Sequence, residues 1–112
     1  MIARGEGGRI VIVASSAALE VIRNEAAYQV SKVAVVRLAQ VMAAELRDYR
    51  ITVNAVLPTT MDTPSNRAGM PKANRATWVT TDSVAAVIEW LLSDAASVVT
   101  GVAVPALGWS AE

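Results

Sequence analysis

Two residues four apart, Tyr28 and Lys32, open the one stretch of this sequence whose side chains could readily move a proton. The 112 residues contain no cysteine and no histidine. That excludes thiol nucleophiles, disulfides, the usual zinc ligands and every Ser-His or Cys-His arrangement, and no metal site is expected. Acid-base work therefore falls to Tyr, Lys, Asp or Glu. Residues four apart share one face of a helix, so Tyr28 and Lys32 project together. A phenol titrates at about 10 in water, and a neighbouring ammonium favours its ionised form. Tyr28 is thus a candidate general acid or base. A serine hydroxyl from Ser15 or Ser16, at the end of an apolar run, could hold a carbonyl oxygen while that oxygen gains charge. Alone, the Tyr-x-x-x-Lys spacing is one that chance readily supplies, so its value depends on the elements that hold it.

Those elements are legible in the apolar pattern. Residues 9–14 form a β-branched run apolar at nearly every position, as in a strand buried on both faces of a parallel sheet. Residues 17–25 mix small, apolar and charged side chains and read as a loop. Residues 26–49 hold no glycine or proline and are apolar around most of the helical circumference. The pattern predicts a helix of about six turns buried on more than one side, with Arg47 and Arg50 near its negative end. Residues 51–57 read as a second strand, stopped by Pro58. Residues 59–80 contain Pro64, Gly69 and Pro71 and read as a long connection of the kind that usually carries function. Thr81 or Asp82 can cap the next helix, whose stripe is Val84, Val87, Ile88, Leu91 and Leu92. Thr100-Gly101 then leads into a third strand at 102–105.

Strand, helix, strand, long loop with helix, strand is a βαβαβ order with right-handed crossovers, and it predicts three parallel strands. Open parallel sheets place ligands beyond the carboxyl ends of their strands. Ser15, Ser16, residues 58–63, Tyr28 and Lys32 all gather at that edge.

Composition bounds the partners. The chain is 54% hydrophobic and 18% charged, with ten basic and ten acidic residues and a formal net charge of zero. Without a basic stripe, neither nucleic acid nor an anionic membrane is an expected partner. No apolar run approaches a membrane span, and residues 1–8 carry charge and glycines in place of an apolar leader, so the expected compartment is the cytoplasm. The excess of apolar residues in so short a chain predicts surface meant to be covered.

At this point the sequence resembles the short-chain dehydrogenase/reductases. The matching features are Gly7-Gly8-Arg9-Ile10-Val11 leading to Ser15, then Tyr28-x-x-x-Lys32, Ile51-x-Val53-Asn54-Ala55-Val56-x-Pro58, and Thr100-Gly101 before the last strand. Ser15 stands 13 positions before Tyr28, the family spacing, and is preferred over Ser16. In the long loop, Leu57-Pro58-x-Thr60-x-Asp62-Thr63-Pro64-x-Asn66-Arg67-x-x-Met70-Pro71-x-Ala73 followed by Trp78 looks like the dihydropteridine reductase branch.

The resemblance implies Tyr28 as proton donor, Lys32 as the residue that holds the nicotinamide ribose and eases loss of the tyrosine's proton, and Ser15 as substrate orienter. Pro58, Thr60 and Thr63 would meet the cofactor, NAD or NADP, beside Tyr28 and Lys32. Asn66 and Arg67 would belong to the substrate loop. The substrate would be a small molecule carrying a carbonyl or a conjugated imine such as a quinonoid pterin. The fold implied is the second half of a Rossmann-type doubly wound parallel sheet, with three parallel strands and two crossover helices. It is an incomplete domain, because nothing here matches the Gly-rich first turn that receives the pyrophosphate at a helix N-terminus.

Two expectations follow. Residues 1–112 are the C-terminal part of one such reductase domain, inactive alone. Alternatively, the chain is a non-enzymatic interaction or dimerisation module derived from the same fold. Family members use the long helix between subunits, so either case implies a homo-oligomer through helix 26–49 or pairing with the missing N-terminal half.

Overall fold

The computed structural model describes residues 1–110. Three strands, β1 (Gly8–Val13), β2 (Ile51–Pro58) and β5 (Ala103–Ala106), form one parallel sheet in the order β1-β2-β5. Gly8 pairs with Ile51 and Val13 with Val56, while Ala55 pairs with Ala103 and Pro58 with Ala106. All eight residues of β2 are buried, as the largely apolar pattern of a central parallel strand requires.

The two faces of β2 serve two cores. Val53, Ala55 and Leu57 pack with Ala39 and Ala43 of helix α1 (Ala26–Glu45). On the other face, Val56 packs with Val84 and Leu91 of helix α3 (Thr81–Leu92) and with Val79. Asn54 breaks the apolar pattern yet is fully buried. Its Nδ2 donates to the Val99 carbonyl (2.9 Å), and its Oδ1 accepts from the Val102 amide (3.1 Å). Alongside it, Val53 N–H donates to Thr100 Oγ1 (3.0 Å), and the Gly101 amide donates to the Val53 carbonyl (2.8 Å) from a left-handed turn at φ 76°. Asn54 and Thr100-Gly101 together fix where β5 joins β2.

Several expectations are corrected. The helix read as 26–49 ends at Glu45. The chain then tightens into a 3-10 turn, Arg47–Tyr49, because Arg50 adopts a left-handed conformation (φ 57°) and directs the backbone straight into β2. The helix is also buried on one side only. Val35, Val36, Ala39, Met42, Ala43 and Leu46 face the sheet, while Val30, Val33, Leu38 and Val41 are exposed. A single layer of sheet can cover only one face of an apolar helix.

Residues 17–25 begin with a 3-10 turn, Ser16–Leu19. The long connection is partly ordered into β3 (Met61–Asp62), α2 (Pro64–Gly69) and β4 (Val79–Thr80), with β3 and β4 paired in parallel as a second, small sheet. Thr80 caps α3 in place of Thr81 or Asp82, its hydroxyl accepting from the Ser83 amide (3.1 Å). Leu92 of the predicted stripe is exposed. The last strand starts at Ala103, one residue later than expected.

The amino-terminal turn is held by close approach. A Cβ on Gly7, which has φ 76°, would lie 2.8 Å from the Arg50 carbonyl, so a side chain there meets both a clash and backbone strain. No helix among the described residues is long and apolar enough to cross a membrane.

The two outer edges of the main sheet differ. Along β5 the carbonyls of Val102, just before the strand, and of Ala106 accept from the Ala55 and Thr59 amides, so by strand alternation the ring nitrogen of Pro105 faces the open side. In β1 the Gly8 and Ala14 amides turn toward the β2 side, so Arg9, Val11 and Val13 present N–H and C=O groups outward.

The molecule is extended for its length. Its radius of gyration is 15.5 Å, against about 13 Å for a compact domain of this size. It exposes 7380 Å², where a compact monomer of its mass exposes about 5,900 Å².

Candidate active site

Beyond the carboxyl edge of the sheet lies an open cleft of about 470 Å³. The end of β1 contributes Ala14, Ser15 and Ser16, the end of β2 contributes Pro58, Thr59 and Thr60, and α1 contributes Tyr28 from its first turn. The ladder carries this geometry directly: the Ala14 amide donates to the Val56 carbonyl (2.8 Å), so the two strand ends stay level where they open onto the cleft.

Ser15 is extended (φ −153°, ψ 148°), and its hydroxyl accepts from the Ala17 amide (3.1 Å), capping the 3-10 turn. Its own proton remains available to donate into the cleft. Ser16 also lines the cleft but is nearly buried. Tyr28 is half exposed, at 49%. The Lys32 ammonium lies over its ring, 5.5 Å from the centroid, within cation–π range. Lys32 does not itself line the cleft.

The long connection supplies the remaining wall. Asn66 lines the cleft and is fixed by donating from Nδ2 to the Met61 carbonyl (2.8 Å). Thr63 does not reach the cleft, since its hydroxyl caps α2 by accepting from the Asn66 amide (3.1 Å). Arg67 also stays outside. Its Nε and Nη2 grip Asp62 at 2.6 and 2.8 Å, tying α2 to β3. The structure thus brings together Ser15, Tyr28, Pro58, Thr60 and Asn66, with Lys32 against the tyrosine, and holds Thr63 and Arg67 as supports of the wall.

The Arg67 fork hydrogen-bonds the ionised Asp62 carboxylate and holds its pKa below the ordinary 3.8, while the carboxylate raises the pKa of Arg67. A carboxylate lowered in the folded state stabilises it above the unfolded pKa, and that contribution is lost as pH falls through the lowered value. The tie between α2 and β3 is therefore expected to be intact at neutral pH and to loosen progressively below 3.8. The Arg67 Nε–H resonance reports this directly. A signal unchanged down to complete acid unfolding would contradict it.

Sequence reasoning passed over Glu20, Ile22, Glu25 and Met70, all of which line the cleft. Glu20, Ile22 and Glu25 lie in the connection leaving the carboxyl end of β1, and that position was the signal that could have found them.

Fold and site together are those of a Rossmann-type parallel sheet with a hydroxyl-lined cleft at its carboxyl edge and a tyrosine-lysine pair on the following helix. A family model described as enoyl-(acyl carrier protein) reductase matches residues 1–106. L-xylulose reductase from Bos taurus is 36% identical over 118 residues, covering 96% of this chain and 48% of that protein. An NAD-dependent glycerol dehydrogenase from Listeria innocua is 37% identical over 120 residues, covering 90% and 43%. Among solved structures, a short-chain type dehydrogenase/reductase from Mycobacterium ulcerans superposes with a TM-score of 0.85 at 33% identity, covering 93% of this chain and 42% of that one. The chain belongs to the short-chain dehydrogenase/reductase family. It spans about half the length of the curated relatives it matches.

Proposed function

We propose that residues 1–112 are the C-terminal part of a single short-chain dehydrogenase/reductase domain, the part that carries the acid-base site of an NAD(P)H-dependent oxidoreductase. The observation that carries this reading is the convergence of Ser15, Tyr28 and Thr60 on one cleft, with the Lys32 ammonium against the tyrosine ring. The cleft's volume of about 470 Å³ and its hydroxyls suit the nicotinamide end of the cofactor together with a small substrate. Gly5 and Gly7 stand before β1 and Gly8 opens it, none lying between a strand and its helix, so these residues offer the pyrophosphate end no such cradle. When bound, the reduced nicotinamide supplies the hydride.

In this reading Ser15 donates a hydrogen bond to the substrate oxygen or nitrogen, and Tyr28 delivers the proton as negative charge develops there. Lys32 holds the nicotinamide ribose, and Pro58 and Thr60 belong to the wall the nicotinamide meets, with Thr63 supporting that wall through its cap on α2. Asn66 lines the substrate side, with Arg67 keeping its helix in place. The glycerol dehydrogenase it resembles is NAD-dependent by name, which favours a nicotinamide cofactor. The substrate is a small carbonyl compound or, from the 57–73 string like the dihydropteridine reductase branch, a quinonoid-pterin-like imine.

The chain alone is inactive in this reading. Titration of the purified 112 residues with NADH or NADPH should give no saturable change in nucleotide fluorescence. Addition of an N-terminal nucleotide-binding half should restore binding and carbonyl-dependent oxidation. Saturable micromolar binding by the 112 residues alone would sink this part of the proposal.

A second reading, a non-enzymatic association module, rests on the exposed Val30, Val33, Leu38 and Val41 of α1 and on Gln29 Nε2, which is buried without a partner among the described residues. The excess exposed surface, roughly 1,500 Å², exceeds the ~800 Å² that one partner contributes to a standard interface. Covering by a second copy or by the N-terminal half accounts for it equally under the enzymatic reading.

A further inference from the structure

A second cavity of about 410 Å³ opens at the amino-terminal edge of the sheet, about 20 Å from Pro58 by the rise of β2. Arg9, Arg47, Arg50, Thr52, Ser97 and Glu6 line it. Three independent observations converge there.

The first is charge. Arg47 and Arg50 make no ion pair among the described residues, and Arg9 shares its guanidinium with an exposed Asp94 (3.1 Å). Among the described residues Glu6 is the one carboxylate in the wall, and it lies 3.9 Å from Arg4. The second is an unmet hydroxyl: Thr52 is 7% exposed, and its Oγ1 has no hydrogen-bond partner among the described residues. A buried polar group left unpaired is costly, and its position in the wall gives a ligand something to satisfy. The third is strain. Arg50 holds φ 57°, a conformation that glycine adopts freely and a side chain does not, so the guanidinium stands at a position where the backbone would be more relaxed with glycine.

We infer that this cavity binds the phosphate group of a small phosphate monoester. A tetrahedral dianion offers three acceptor oxygens and a second negative charge, which meet guanidinium forks from more than one direction and a hydroxyl besides more fully than the two coplanar oxygens of a carboxylate. The cavity exceeds the volume of the bare ion, leaving room for the organic part of the ester. The site is separate from the cleft at the other end of β2 and does not depend on the reading of that cleft.

The test titrates the ¹⁵N-labelled chain with inorganic phosphate and with glycerol 3-phosphate at constant ionic strength. Saturable shifts of the Gly7, Gly8 and Thr52 amides are expected, tighter for the ester. Arg50→Gly relieves the strained backbone, so its unfolding temperature should hold or rise while affinity for the ester falls about tenfold, as loss of one charge-assisted contact implies. Thr52→Val and Arg47→Gln should weaken binding as well. Shifts that follow ionic strength whatever the anion, no saturation by about 20 mM ester, or undiminished affinity in Arg50→Gly would each overturn the inference.

Discussion

Replacing Tyr28 by phenylalanine, in a protein that joins these residues to a nucleotide-binding half, is expected to lower turnover by about a hundredfold to ten-thousandfold, the range for loss of a positioned proton donor. Cofactor affinity should stay unchanged, because the ring and the Lys32 ammonium over its face are retained and only the hydroxyl is lost. Lys32→Met should separate from it by weakening cofactor binding as well as turnover. The measurements are stopped-flow hydride transfer and nucleotide fluorescence titration on the same preparations. Turnover of Tyr28→Phe within threefold of the parent would remove Tyr28 from the chemistry and leave the cleft as a binding site only.

The largest structural effect is expected at Asn54. Asn54→Leu removes both hydrogen bonds of the fully buried Asn54 side chain and leaves the Val99 carbonyl and the Val102 amide, in part-buried contacts, unmet, at about 1–2 kcal/mol each. A loss of about 2–4 kcal/mol is a large part of what a chain of this length holds, since net stability is about 0.05–0.15 kcal/mol per residue. The urea midpoint should fall by 1 M or more, roughly, for ordinary denaturant slopes. A midpoint shifted by less than a few tenths molar would mean that the β2–β5 junction is held without this side chain.

The central strands and the cleft were legible because both follow from backbone rules. The apolar runs at 9–14 and 51–57 both form parallel strands, the second fully buried as expected and the first only part-buried because it lies at the sheet's open edge, and their carboxyl ends bring Ser15, Pro58 and Tyr28 to one edge. What stayed hidden depends on partners the sequence does not pair. Strands of two residues, Met61–Asp62 and Val79–Thr80, have no period to detect and form because each satisfies the other's backbone. Thr80, Thr81 and Asp82 all have capping side chains, so only geometry could choose among them. Arg67 could have faced substrate or solvent, and its grip on Asp62 depends on a turn of α2 that the Thr63 cap creates. The apolar character of residues 26–49 was read correctly as composition, yet burial on several sides needs a covering surface that the described residues do not form.

The unlike edges of the main sheet carry a further consequence. Pro105 turns a position without an N–H toward the open side of β5, which blunts that edge against strand addition. Gly8–Val13 has no proline, and its outward-facing backbone groups make it the one edge of this sheet at which the ladder can continue. Uncontrolled association during synthesis or refolding would therefore be directional, templated along β1 and terminated at β5. A charged or proline substitution at the exposed Val13 would act as a gatekeeper, improving yield without touching the cleft.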